Sequence, residues 1–270
     1  MIIDDFVFIS ENGIYCKYGD FYLDPTQPVK TAVISHAHAD HAISGNAEVY
    51  CTASTRAFME LRYSRYAAKA FNIAPYNAAF NINGVQLSFI PAGHMLGSAM
   101  VLMEYKGVKY LYTGDYKLQP DATCEPIEWM NADVLITEST FADPKIIHPD
   151  PVAEIQKLNK IYEAAGFSIG NYQLYGRKLM KTQDHFVYIV PPFTFNSYIR
   201  ATDVKRLFAS GWDRLQVNRE DTLFISDHVD WNDILTAVKQ VNPKQIWTLH
   251  GSGKYLQTYF GDNIFVKLLN

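Results

Sequence analysis

Short apolar runs separated by turn residues organise this chain, and their lengths sort most of them into strands. Residues 6–9 and 14–23 are broken by Asn12-Gly13 and Gly19-Asp20. Such dipeptides set hairpin turns, so the chain is expected to open on antiparallel strands. Val29 to Ile34, Glu48 to Cys51, Val85 to Ile90, Ala99 to Tyr105, Val108 to Tyr112, Ala132 to Ile136, Phe186 to Val190, Thr222 to Ile225 and Gln245 to Leu249 are further runs of strand length, several rich in β-branched residues. Helical spacing is read over Thr52 to Ala70, with Thr52 or Ser54 as cap, over Val152 to Ala165, and over Trp231 to Gln240. Strands and helices in alternation predict an α/β layered fold with its site along one edge. No motif recurs at a fixed period.

The strands repeatedly end on a metal-ligating or acidic residue. The run from Val29 leads into Ser35-His-Ala-His-Ala-Asp-His41, three histidines and an aspartate within six residues. Side chains two apart in an extended segment share a face, so His36 and His38 point the same way, while Asp40 and His41 follow where the strand yields to a loop. A lone histidine at such a place is usually a hydrogen-bonded surface or core residue. Four candidate ligands packed together point instead to metal, with room for two adjacent ions. Imidazoles and carboxylates without cysteine suit zinc, or manganese and iron where oxygen ligands are numerous. Later strand ends add His94 between glycines, Asp115 in Thr-Gly-Asp-Tyr, Glu138 in Thr-Glu-Ser-Thr, His228 in Ser-Asp-His-Val-Asp, and His250. Asp24, just ahead of the histidine run, either caps a turn or orients a ligand histidine.

Composition narrows the setting. The 270 residues suffice for one large domain with a sizeable insertion, and the 48% hydrophobic and 19% charged shares are those of a globular protein. A net charge of −4 gives no overall attraction to nucleic acid, so a polyanion would need a local basic patch and bound metal charge. Three scattered cysteines, an acidic start without a basic-then-apolar leader, and no long apolar stretch lead us to expect a cytoplasmic protein with no membrane partner. Arg62, Arg65 and Lys69 would share one face of the first helix, as a solvated face or as a basic patch. From Phe141 to about Ile225 the pattern loosens. Tyr172, Tyr175, Arg177, Lys178 and Lys181 there form a basic, aromatic mixture that fits an exposed loop or a contact for single-stranded nucleic acid. Gly251-Ser-Gly-Lys254 is not a phosphate loop, because Thr248 and Tyr255 stand where that motif needs glycine and a small hydroxyl residue.

Taken in order, Asp24, His36-Ala-His-Ala-Asp-His41, His94, Asp115 and His250 resemble the metallo-β-lactamase superfamily over most of the chain. Glu138 and His228 narrow the resemblance to β-CASP nucleases. Thr-Gly-Asp-Tyr, Thr-Glu-Ser-Thr-Phe, Ser210-Gly-Trp212 and Ser-Asp-His-Val-Asp-Trp231 are similar to bacterial DNA-ligase-associated exonucleases. The resemblance implies a metallo-β-lactamase αββα sandwich formed by residues 1–140 and 222–270, with a reduced β-CASP-like cap at 141–221 that lacks the usual Gly-Lys-bearing strand and helix.

It further implies two Zn2+ ions, with Mn2+ or Fe as alternatives. One is held by His36, His38 and His94 and the other by Asp40, His41 and His250, with Asp115 bridging. Catalytic roles fall to Asp40, to Glu138 and His228 as an acid pair, and to Asp24. Ser98, Arg62, Arg65, Lys69, Arg177 and Lys178 are candidate substrate contacts. The implied activity is phosphodiester cleavage of DNA or RNA, as an exonuclease in DNA repair or an RNA-processing nuclease, with a DNA ligase or helicase as a possible partner. Two other readings stay open: a hydrolase of a small ester, thioester or lactone, and a catalytically weak partner in a repair assembly.

Overall fold

The computed structural model describes residues 1–164, 176, 178, 181–182, 189–190, 204, 206–212 and 222–269. Tyr172, Tyr175, Arg177 and most of the expected strand ending at Val190 lie outside them. The chain divides into two compact units, Met1–Ile147 with Asp227–Asn270, and His148–Ser226.

The larger unit holds two sheets. The first runs in the order β1 (Val7–Ser10), β2 (Gly13–Cys16), β3 (Phe21–Leu23), β4 (Thr31–Val33), β5 (Asn46–Cys51), β6 (Ala68–Ile73). Its first three strands are antiparallel and the rest parallel. The second sheet contains β7 (Ala79–Ile82), β8 (Val85–Pro91), β9 (Ala99–Tyr105), β10 (Val108–Tyr112), β11 (Val134–Ser139), β14 (Gln245–Gly251) and β15 (Phe265–Leu268). Its spatial order is β15-β14-β11-β10-β9-β8-β7.

Both faces of the central strands are apolar, and the period of two assigns each side chain to a layer. Val33, Phe89, Val101, Met103, Tyr110, Tyr112, Val134, Ile136 and Trp247 pack in one core with Phe6, Phe21 and Leu23, so this core lies between the sheets. The intervening residues Met100, Leu102, Leu111, Leu135 and Ile246 face Trp231, Ile234, Ala237, Val238 and Val241 of α3 (Trp231–Val241) and Leu256 of α4 (Lys254–Phe260). Ala32, Ile34, Val49 and Cys51 meet Met59 of α1 (Ala53–Tyr63) on the far side of the first sheet. The order is therefore helix, sheet, sheet, helix, the expected αββα sandwich.

Several elements differ from their expected bounds. The first helix stops at Tyr63, where Ser64 takes a left-handed φ of 54° and a short 3-10 turn, Ser64–Tyr66, follows. Ladder bonds to β5 then draw residues 68–73 into a strand in spite of the helix-favouring Ala and Lys there. Lys69 consequently sits on β6 and does not share a helix face with Arg62 and Arg65. Glu138 lies within β11 and His250 within β14, each near the strand's carboxyl end. Among the described residues no helix is long and apolar enough to cross a membrane.

The smaller unit contains α2 (Pro151–Ala164), begun by Asp150, whose carboxylate accepts the Val152 N–H at 3.0 Å, with proline in the first helical position. A two-stranded parallel ladder joins β12 (Phe208–Ala209) to β13 (Thr222–Leu223). The buried Glu154 carboxylate takes the Phe224 N–H at 3.0 Å and pairs with Lys157.

Candidate metal centre

The parallel arrangement points the carboxyl ends of β3, β4, β8, β10, β11 and β14 toward one edge, where open α/β sheets bind ligands. Asp24 follows β3, the His36 to His41 loop follows β4, His94 follows β8, Asp115 follows β10, and β11 and β14 carry Glu138 and His250. Asp230 caps α3 by accepting the Asp233 N–H at 3.0 Å, and this anchors the loop that presents His228.

The structure gathers His36, His38, His94 and Asp115, whose ligand atoms all lie within 4.8 Å of one another. The three imidazoles stand with centroids 4.8 to 4.9 Å apart and ring planes nearly perpendicular. Oδ2 of Asp115 is the hub: it lies 3.2 Å from His41 Nε2, 3.6 Å from His36 Nε2 and 3.9 Å from His228 Nε2.

Hydrogen bonds behind the cluster fix which ring nitrogens face it. His94 Nδ1 donates to the Asp227 carbonyl at 2.9 Å, so its Nε2, 3.1 Å from His38 Nδ1, carries a bare lone pair. His41 Nδ1 donates to Asp24 Oδ2 at 2.9 Å. His36 is fully buried, its Nδ1 is 2.9 Å from Ser35 Oγ, and its Nε2 has no hydrogen-bond partner. An orphaned nitrogen aimed at a carboxylate oxygen and two other imidazoles is costly unless a cation completes it. These His/Asp groups therefore fit a metal ion, with nitrogen and oxygen donors of the kind divalent transition metals take.

Protonation follows the same geometry. Burial, reinforced by the charge of His41, holds the His36 imidazole far below its usual range, and burial lowers His94 too. Burial also disfavours charge on His41, but hydrogen bonds to Asp115 and Asp24 outweigh it and raise the group to about 11. Asp115 is pushed up by burial and pulled well below the carboxylate range by His41. Without metal, a proton on His41 thus neutralises Asp115, and metal uptake would release it.

Asp40, His41 and His250 are less tightly drawn together. The Asp40 side chain is 81% exposed with Oδ2 3.8 Å from His41 Nε2, and the exposed His250 ring stands 5.9 Å from that of His41. His250 has a left-handed φ of 51°, and Gly251 after it packs so closely that a Cβ there would meet the Ser139 carbonyl at 2.2 Å.

Asp24 is close enough to His36 and His41 to look like a ligand, but its oxygens are occupied. Oδ1 accepts the Ser35 N–H at 2.7 Å, and Oδ2 accepts Ser35 Oγ, His41 Nδ1 and Tyr112 Oη at 2.5, 2.9 and 2.9 Å. Glu138 is likewise turned inward. It takes His228 Nδ1 at 2.8 Å and the Tyr116 N–H at 3.4 Å, and burial raises it. Burial opposes charge on His228, and Glu138 overcomes this, raising the imidazole to about 9.

The candidate substrate contacts scatter. Ser98 is buried, and its hydroxyl accepts the His94 and Met95 N–H groups, both at 3.2 Å, so it braces the His94 loop. Arg62 donates to the Ala37 carbonyl at 2.7 Å, between His36 and His38 in the chain. Arg65 lies against Tyr66 and donates to its hydroxyl at 2.7 Å. Lys69 and Lys178 are exposed. Ser35 and Tyr112 are participants the sequence reading passes over. Ser35 has a signal, a hydroxyl adjoining the first histidine, whereas Tyr112 reads only as a core aromatic.

A family model described as a beta-lactamase superfamily domain matches residues 20–166. A protein of Opitutus terrae described as "Probable DNA ligase" is 28% identical over 298 residues, covering 89% of this chain and 28% of that protein. "Endoribonuclease ysh1" of Aspergillus fumigatus is 42% identical over 69 residues, 24% of this chain and 8% of its own length. "Cleavage and polyadenylation specificity factor subunit 3-I" of Arabidopsis thaliana is 27% identical over 165 residues, 47% of this chain and 24% of the relative. The chain thus spans less than a third of each of these relatives.

Proposed function

The chain belongs to the beta-lactamase superfamily, and from that premise we propose that it is a metal-dependent phosphodiesterase that cleaves nucleic acid. The observation that carries this reading is the His228–Glu138 pair, set beside Asp115 at the edge of an imidazole cluster that fits metal. Relatives named for an endoribonuclease and a DNA ligase support nucleic acid as the substrate class.

In this reading His36, His38 and His94 hold one Zn2+, and Asp40, His41 and His250 hold a second, with Asp115 between them; Mn2+ or Fe suits the same donors. Bound divalent metal supplies Lewis acidity, drawing charge from a phosphodiester oxygen and making water a usable nucleophile near neutral pH. The residues do the rest. His228 presents Nε2 to the reacting edge while Glu138 holds its Nδ1, which keeps the ring oriented and protonated near neutrality, as donation to a leaving oxygen requires. Arg62, tied to the Ala37 carbonyl, is a candidate phosphate contact beside the cluster. Residues 141–221 serve as a reduced cap. The DNA reading is an exonuclease in repair alongside a ligase, and the RNA reading is a processing nuclease.

The test is metal analysis of the purified protein together with cleavage of end-labelled single- and double-stranded DNA and RNA. His228→Ala is expected to keep its metal and lose roughly 10²- to 10⁴-fold in turnover. A metal-loaded wild type inert on all four substrates, or a His228→Ala variant as active as wild type, overturns the proposal.

A further inference from the structure

We infer that Ser35 and Tyr112 are positioning residues for metal: through the single carboxylate of Asp24 they set the ring tautomers of one histidine from each ligand set, His36 and His41. The inference rests on reading the cluster as a metal centre.

The argument is one of counting protons. Ser35 Oγ has one hydrogen and two close neighbours, Asp24 Oδ2 at 2.5 Å and His36 Nδ1 at 2.9 Å. Asp24 faces four donors, the Ser35 N–H, Ser35 Oγ, His41 Nδ1 and Tyr112 Oη, so it acts as acceptor only. Ser35 must then give its proton to Asp24 and accept one from His36. The reverse order, Ser35 donating to His36, would press two bare oxygens together at 2.5 Å. With its proton on Nδ1, His36 presents a lone pair at Nε2, the buried atom left without a partner. His41 Nδ1 donates to the same oxygen, so the proton that metal uptake displaces from this ring is the one on Nε2, beside Asp115.

The surroundings leave this relay little freedom. Tyr112 is 1% exposed in the core between the sheets, and its hydroxyl adds a further donor to Oδ2. Gly114, at a φ of +53°, lies so near Ser35 that a Cβ would stand 2.7 Å from its Oγ. The Ala99 N–H holds the Ser35 carbonyl at 2.8 Å. Removing the Ser35 hydroxyl leaves the buried His36 Nδ1 unpaired, and the ring is then free to carry its proton on Nε2, where metal would bind.

Histidine nitrogen NMR on the metal-free protein, with zinc titration against a competing chelator, tests this. Wild type is expected to show His36 protonated at Nδ1. Ser35→Ala should populate the Nε2–H tautomer and bind zinc roughly 10- to 100-fold more weakly, the range for losing a partner behind a ligand. Ser35→Thr, which keeps the hydroxyl, should restore both. Tyr112→Phe should weaken zinc by about 10-fold, the low end for a lost hydrogen bond to a charged group, and it decides the matter if Ser35→Ala does not fold. A wild type that takes up no zinc overturns the reading of the cluster and this inference with it. A wild type that binds zinc alongside variants with unchanged tautomers and unchanged affinity overturns the inference alone.

Discussion

The two halves of the candidate centre are built differently. His36, His41 and Asp115 are at most 5% exposed, and His36 and His41 are each hydrogen-bonded from behind. Asp40 and His250 stand in solvent, and the Asp40 side chain is 81% exposed. In the proposed two-metal reading the difference teaches where affinity would reside. Burial and hydrogen bonds hold His36, His41 and Asp115 in place before any ligand arrives, so little ordering cost remains there, whereas Asp40 and His250 would be ordered by what they bind.

The largest expected effect comes from the hub. Asp115→Asn keeps the volume but removes the charge that faces three imidazoles, and it should abolish stable metal uptake and cost about 4 kcal/mol in the barrier, or roughly 10³-fold in turnover. Metal content by mass spectrometry and single-turnover cleavage check this. On the open side, His250→Ala should leave one metal equivalent in place and lower turnover by on the order of 10²-fold. If it strips all metal as Asp115→Asn does, the two halves are one unit and the contrast collapses.

Smaller still is the effect of the bond behind His228. Its imidazole is raised to about 9, and in the proposed mechanism the protonated form is the competent acid. Activity should therefore hold below that value and fall as pH rises through it. Glu138→Gln removes the charge that sustains the shift and should move this alkaline limb down by about one to three units. A pH–rate profile identical to wild type would separate Glu138 from His228.

Much of the candidate site was legible because residues able to ligate metal are chemically rare and their spacing survives reading in one dimension. The dense run from His36 to His41, and the habit of ending strands on His94, Asp115 and His250, both stand out against an apolar background. The α/β layering followed from the alternation of strands and helices, and the sandwich from the resemblance. What failed was pattern borrowed across a break. Arg62, Arg65 and Lys69 fit a helical spacing only while Ser64 is ignored, and ladder bonding of β6 to β5 decided otherwise. Ser98, a candidate substrate contact, has a buried hydroxyl that instead accepts the His94 and Met95 N–H groups.

The sequence by itself determined the candidate donors, the layered fold and the superfamily, since these depend on residue type, motif and periodicity along the chain. Only the tertiary structure decided how each donor is used. Asp24 became an acceptor for four bonds, His36 was left with a bare, buried Nε2, and Ser35 and Tyr112 entered the network. The physical reason is that a tautomer or an orphaned lone pair depends on which donors converge in space. Tyr112 and Asp24 are 88 positions apart, and only the packing of two sheets brings them together.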